Sequence, residues 1–473
     1  MPPHVVRLWD SLRSSYWFIP TVMSLAAFAL AVTATAADGA FGSEWLEEVP
    51  WLAGNKPDGA RAVLSTVAGS MITVAGVVFS VTIAAVSYAS GQYGPRLLTQ
   101  FLRDTGNQVT LGTFIATFVY CLHVLRTVRS PDEVGPSFFE GVDGTAGFVP
   151  HIGMLGALAL AICSIGVLIY FIHHVPQSIH ISIAIANIGQ ELLEQIEDEF
   201  PEPLGQSTPD DVDRQDAEAH AEATQRGPAA EIRSTGSGYV QGVDDVALLS
   251  VARQHDLVLR LRYRPGDFVQ RGRALLDAWP ADRIDDVVRE RLRGAFATGR
   301  RRTPVQDLPF LVEELVEIAA RALSPGVNDP FTATRCLDWL GAALASLAQR
   351  DLPDRLRYDA DGRLRAIAHP MTFADYVEAA FGRLRPYVSS DRNAALHTFR
   401  ALGEIASDAR RPAEREALRP HVDELLRACE RNLPDAPALD EVRGRHRQVL
   451  RLLSDPESAE AVLREQDWLG GRT

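Results

Sequence analysis

Lysine is almost absent from this chain. Lys56 is the single one in 473 residues, and arginine carries the remaining positive charge. A codon bias of the source genome is the plain explanation. The chemical consequence stands regardless: a Schiff base or an amide-linked carrier group in the polar half would have no lysine to use. Cysteine is scarce too. Cys121 and Cys163 sit inside apolar runs, Cys336 and Cys429 lie far apart in polar sequence, and no CxxC occurs. That excludes a disulfide scaffold or a zinc site read from spacing and leaves four reduced thiols. The net charge of -14 argues against general nucleic-acid binding, which needs a basic surface. No GxSxG, P-loop, GxGxxG or HExxH is present, so no catalytic residue, cofactor or metal is expected and the chain is not read as an enzyme.

What is present is a split. Mean hydropathy is near zero, yet the first third is strongly apolar and the rest is rich in Arg, Asp and Glu. A spanning helix needs about 20 mostly apolar residues. Four stretches qualify, at 17–37, 62–89, 109–128 and 152–175. The first is expected to be a span rather than a cleaved signal, because it is long and three more follow. Arg7 and Arg13 precede it, Arg96 and Arg103 lie in the second loop, and acidic residues dominate the first and third loops. This bias predicts a multi-pass protein of the inner (plasma) membrane with both termini cytoplasmic. No Asp, Glu or Lys lies in the middle of a span, which counts against an ion-coupled transporter. His123, His173 and His174 sit near span ends and are taken as interfacial.

The second span is distinctive. Gly69, Thr73, Gly76, Ser80, Ala84, Ser87, Gly91 and Gly94 recur at spacings of three and four, which puts small residues on one helical face. Such a face allows close helix packing or could line a water-filled pore. Of these, Gly69, Thr73, Gly76, Ser80 and Ser87 are the candidate pore-lining or packing residues. "ASGQYGPR" ends the span. Gln92, Arg96 and Arg103 form a candidate polar cap at the cytoplasmic face, either an interfacial helix stop or a contact for ions or lipid headgroups.

After the fourth span, residues 176–200 keep a helical apolar period and prolong it. Residues 201–235 are acidic and poor in large apolar groups, the composition of a flexible linker with room for a short helix. Residues 236–280 read as a compact β module. "SGYVQGV" suggests a strand and "VALLSVARQH" a short helix or strand. "DLVLRLRY" alternates with period two, "RPGD" is a turn, and "FVQRGRALLDAW" returns. The stretch "RYRPGDFVQRGRALL" is similar to the hairpin of a small carrier-domain barrel, without its lysine. From 281 to 473 the pattern is helical. Pro325 and Gly326 end one helix; Asp329 is placed to cap the next, with Pro330 at its first position. Gln306, Asp307, Ser324, Asn328, Asp329 and Thr332 are the polar candidates here. Ser324 with Asp329 is conceivable chemistry, structural capping the plainer role.

These segments resemble a bacterial family of predicted membrane proteins, domain of unknown function 2254. The resemblance runs through "SYWFIP" (15–20), "VFSVTIAAVSYASGQYGPRLL" (78–98), "LGTFIATFVYCLHVLRTVR" (111–129), "SGYVQGVD", "PGDFVQRG", "RTPVQDLPF" and "EIAARALSPGVNDPFTA". It implies an integral membrane protein with four spans and a cytoplasmic region, and no activity. The expected fold is therefore an α-helical integral membrane protein of four transmembrane helices (residues 1–175). A cytoplasmic α+β region follows, a small β-barrel-like module and then a helical domain. In layout alone this resembles mechanosensitive channels of small conductance. Two functions follow: an oligomeric channel-like or permeation protein with a cytoplasmic assembly or gating region, or a membrane-anchored scaffold or signalling protein without a pore. The expected partners are the lipid bilayer, further copies of the chain and a soluble cytoplasmic protein.

Overall fold

A computed structural model of the chain describes residues 16–41, 56–93, 104–130, 148–178, 180–200 and 214–455. They fall into two compact units, one within Leu8–Ala184 and one from Ile185 onward.

Four helices of the first unit are long and apolar enough to cross a membrane: α1 (Phe18–Phe41), α2 (Pro57–Tyr93), α3 (Thr105–Thr127) and α4 (His151–Ser178). Each expected span falls on one of them. With 37 residues, α2 is about 55 Å long at 1.5 Å per residue, well beyond the ~30 Å of a bilayer's apolar core. The hub is α3. Over half of its apolar window, 56%, is buried, against 17–28% for the other three. Its sequence fits that place, since Asn107, Gln108, Thr110 and Thr117 are all buried there, out of contact with lipid.

Polar contacts pin the bundle at both ends. At one end Asp38 accepts from the amides of Ile152 (2.8 Å) and Gly153 (2.9 Å), so a carboxylate of α1 caps α4. Arg61 at the start of α2 reaches the carbonyl of Val128 (3.1 Å) just past α3. At the other end Asp104 caps α3 through the Gly106 amide (2.7 Å) and meets His174 Nε2 at 2.9 Å. Midway, the hydroxyls of Thr117 and Ser164 lie 3.0 Å apart, fully buried. Gly156 is required in α4: a Cβ there would sit 2.2 Å from the Tyr120 hydroxyl.

The fourth span is not prolonged without interruption. A separate helix, α5 (Ile181–Glu199), follows it. From Ile185 onward α5 buries Ile185, Ile188, Leu192 and Ile196, and Gly189 lies face to face with the Trp339 ring. Of the stretch 201–235, residues 201–213 lie outside the described residues. The rest carries α6 (Arg214–Gln225) and β1 (Ala230–Arg233). Then come β2 (Gly238–Val243), α7 (Asp245–Gln254), β3 (Val258–Leu261), β4 (Phe268–Val269), β5 (Ala274–Trp279), α8 (Asp286–Gly294) and β6 (Phe296–Gly299). Helices α9 (Leu308–Ala322) and α10 (Pro330–Ala348) precede β7 (Leu356–Tyr358) and β8 (Leu364–Ile367). The chain continues as α11 (Phe373–Val377), a π turn (Glu378–Gly382), α12 (Arg383–Val388), α13 (Arg392–Asp408), α14 (Pro412–Asn432) and α15 (Ala436–Ser454).

Among the described residues the strands form no closed barrel, so the barrel-like expectation is not met. A five-stranded sheet has the order β1-β5-β3-β8-β7, and a separate three-stranded sheet has the order β4-β2-β6. The first is antiparallel except where β3 meets β8. Two local causes keep the strands from closing. Asp244 caps "DVALLSVARQ" through the Ala247 amide (2.9 Å), so that stretch becomes helix α7 and leaves the sheet. The 264–267 turn then carries the chain from β3 in one sheet to β4 in the other, rather than folding back as one hairpin. Leu248, Leu257, Leu259, Val269, Leu276 and Leu292 fill the core between these elements.

Candidate functional site

Two family-like stretches meet at the 264–267 turn. Asp267 Oδ2 accepts from the Arg264 amide (2.9 Å), and Gly266 takes a φ of +91°. A Cβ on Gly266 would lie 2.5 Å from Asp307 Oδ2, so glycine is needed for both the turn and the close approach. Asp307 is buried and receives two hydrogen bonds of 2.8 Å from Arg302. Arg302 also pairs with Glu313, which Arg383 reaches from α12 at 2.7 Å. Burial opposes the charge on Arg302, but Asp307 and Glu313 outweigh it and raise its pKa. Gln306, at φ +56°, behaves as an extra strand residue. Its Oε1 accepts from the Val243 amide (2.8 Å) and its Nε2 donates to the Val243 carbonyl (3.2 Å). "RTPVQDLPF" thus fastens the end of β2 and the turn to the start of α9.

Beside this junction lies a cavity of about 590 Å³, lined by Arg264, Pro265, Gln306, Leu308, His369 and Tyr376 among others. Its size and its mixture of apolar walls with a few polar groups suit a small organic ligand. Burial lowers the pKa of His369, and Arg355, Arg260 and Arg264 push it further down. Among the described residues no cluster of three or more His, Cys, Asp or Glu side chains is arranged to hold a metal.

The six polar candidates of this region are not brought together. Gln306 and Asp307 precede α9, while Ser324, Asn328, Asp329 and Thr332 follow it, across 15 residues or about 22 Å of helix. Ser324 Oγ donates to its own helix at the Arg321 carbonyl (2.6 Å). Asn328 takes φ +50°. Asp329 caps α10, accepting from the Thr332 amide (3.1 Å) and hydroxyl (2.6 Å). Each group is committed to ending one helix or starting the next, and Ser324 does not meet Asp329.

On α2, Gly69, Thr73, Gly76, Ser80 and Ser87 are all exposed. At 100° per residue they share one narrow face, opposite the buried Ala60, Leu64, Ala68, Ala75, Val78, Thr82 and Val86. Thr73 and Ser80 turn their hydroxyls back to the carbonyls of Gly69 and Gly76, both at 2.8 Å. A Cβ on Gly69 or Gly76 would meet nothing within 4 Å. Within one chain this face packs against no described residue. Gln92 lies in the last turn of α2; Arg96 and Arg103 lie outside the described residues. Sequence reasoning passed over Asp38, Asp104, Thr117 and Ser164. It also took His174 as merely interfacial, although it meets Asp104. Asp104 sits where α3 begins, and that position was the available signal; Asp38 lies near the end of α1 and caps a helix remote in sequence, which no local pattern announces.

A family model described as "Predicted membrane protein (DUF2254)" matches residues 13–404. The chain belongs to this family. It is 34% identical over 386 residues to Uncharacterized protein Mb1321c of Mycobacterium bovis, covering 80% of this chain and 70% of that one. Uncharacterized protein Rv1290c of Mycobacterium tuberculosis matches with the same identity and coverage. No solved structure matches. The DUF2254 match takes in all four apolar helices, both sheets and the α9–α10 junction, and ends within α13, so every candidate residue lies inside it.

Proposed function

We propose that this membrane protein is a channel-like or permeation protein assembled from several copies through α2. The orientation inferred from its charges puts both termini and the second unit in the cytoplasm, where that unit serves assembly and gating. One observation carries this reading: the small-residue face of α2 points away from its own bundle. Lipid-facing helix surfaces usually present large apolar side chains, as Ile162, Ile165 and Ile169 do on α4. Small residues mark places where another helix backbone comes close. Around an axis, the same hydroxyls and bare backbone would face permeating ions. No reaction is assigned to the chain. The deciding experiment is mass determination of the detergent-purified full chain together with ion flux in liposomes. An oligomer that conducts is expected, with Ser80→Leu and Gly76→Leu altering the flux; a strict monomer without flux would overturn the reading.

The cavity beside the 264–267 turn favours a second reading, a membrane-anchored scaffold or signalling protein without a pore. In that case the full chain is an assembly without flux that retains a soluble cytoplasmic partner in pull-downs.

A further inference from the structure

The chain carries a net charge of -14, yet one end of the β4-β2-β6 sheet gathers positive charge. β2 is the middle strand. On one side its Gly238 and Tyr239 oppose Val269 and Phe268 of β4; on the other its Tyr239 opposes Gly299 of β6. Both outer strands run antiparallel to β2 and leave the sheet beside its start. β4 runs on into Arg271 and Arg273, and β6 into Arg300 and Arg301. Close contacts hold these ends together. The Arg271 amide donates to Ser237 Oγ (2.9 Å). The Gly299 carbonyl oxygen would lie 2.6 Å from a Cβ on Gly238. The Arg301 carbonyl accepts from Gln241 Nε2 (2.7 Å). The outer strands are two strand spacings apart, about 10 Å, so the four arginines share one small region of surface.

Arg271, Arg273, Arg300 and Arg301 are all exposed. Among the described residues none of their guanidinium groups has a hydrogen bond or an ion pair. Neighbouring arginines differ, since Arg233 pairs with Glu231 and Arg302 with Asp307. An aromatic pair adjoins the charges. Tyr239 and Phe268 oppose each other and so stand on one face of the sheet. Their rings meet edge to face, 5.1 Å between centroids, and Phe268 is 51% exposed. The core lies behind the other face, which carries the buried Val240 and Val269. Exposed aromatic rings beside unopposed basic side chains are the composition of a surface that meets a membrane–water interface.

We propose that this end of the β4-β2-β6 sheet docks on an anionic membrane surface. The four arginines meet lipid phosphates, and Phe268 with Tyr239 enters at headgroup level. A negatively charged leaflet attracts each basic residue brought near it. The tether favours lipid over a free polyanion. Capture of nucleic acid from solution works against the repulsion of an acidic chain. A patch already held at a membrane needs far less intrinsic affinity, because its docking is in effect intramolecular. The second unit takes up the chain at Ile185, only a few residues after α4 ends at Ser178, so it is tethered to the bilayer by a short run of chain. Docking of this kind needs a membrane location alone. It uses neither assembly through α2 nor conduction, and its failure would leave both standing.

The test places a fluorophore beside Arg271. Gln270 is exposed, and Cys121, Cys336 and Cys429 are buried, so the full chain with Cys163→Ser and Gln270→Cys takes an environment-sensitive label at position 270. The labelled chain is compared in nanodiscs of pure phosphatidylcholine and of phosphatidylcholine with phosphatidylglycerol in equal parts. In the mixed discs the emission should shift to the blue and be quenched several-fold more by doxyl-labelled lipid. Salt at about 1 M, where the screening length falls to about 3 Å, should reverse both effects. Arg271→Gln, Arg273→Gln, Arg300→Gln and Arg301→Gln together should abolish the lipid dependence and leave the thermal midpoint in phosphatidylcholine discs unchanged. Quenching that is equal in the two lipids, absent from both, or unaffected by the four substitutions would overturn the proposal. So would a label that responds in phosphatidylcholine discs to a single-stranded RNA oligonucleotide but not to phosphatidylglycerol, which would make the patch a nucleic-acid site.

Discussion

At the residue scale, single positions bear strain or burial that a substitution exposes. Gly266 is the sharpest. Alanine there must adopt φ near +91° and place its Cβ against the Asp307 carboxylate. Gly266→Ala should destabilise the second unit by about 1–3 kcal/mol, the usual size of enforced backbone strain. Denaturant unfolding that shows no loss would mean the turn relaxes freely. His421 on α14 gives a pH signature. Burial lowers its pKa, Arg385 adds to this, and Glu378 and Glu424 act the other way; Glu378 Oε2 lies 3.7 Å from Nδ1. The unfolded chain therefore binds this proton more readily, near pH 6.5. Stability is then full above that pH and falls as the pH drops through it. His421→Gln should flatten the loss of denaturation midpoint between pH 7.5 and 5.5, and an unchanged slope would remove His421 as its source. Turn chemistry at "RPGD" was legible because Pro and Gly dictate backbone angles locally. The partner of Gly266 was not, since Asp307 is remote in sequence and nothing in the spacing announces the contact.

At the level of elements, caps were legible and pairings were not. Asp329 before Pro330 marks the start of α10 through purely local bonds. The four apolar helices were equally plain, because length and hydropathy decide them. Strand partners depend on long-range packing. Hence β1 lay hidden in an acidic stretch, β7 and β8 in a helical one, and β4 left the expected hairpin for another sheet. The case of β1 can be tested directly. It pairs with β5 through Ala230 opposite Ala278 and Ile232 opposite Leu276, and Ile232 is fully buried. A fragment starting at Gly236 lacks that strand and uncovers the edge of β5, whereas one starting at Arg214 keeps it. The shorter fragment should melt several degrees lower and be trimmed faster by protease. Equal stability would show that β1 is dispensable to the sheet.

At the scale of the whole molecule, the same helix pattern has two opposed uses. The sequence shows a small-residue face on α2 but does not say whether it turns inward. Within one bundle the larger face, with Leu64, Val78 and Val86, packs inward and the small face is left outward. Periodicity alone could not choose, because both faces are compatible with a neighbouring helix. What remains is whether the outward face meets another copy, and disulfide trapping separates the outcomes. Cys163 is the exposed native thiol among the described residues, and Cys121 is buried. In a Cys163→Ser background, Gly76→Cys or Ser80→Cys lies on the small face. Val81→Cys is also exposed but is turned about 100° from Ser80 along the helix. If α2 forms the subunit contact, oxidation in membranes should join copies through position 76 or 80 and leave position 81 unjoined. Crosslinking at all three would mean random collision in the bilayer, and crosslinking at none would leave the small face to lipid. Either result would end the assembly reading.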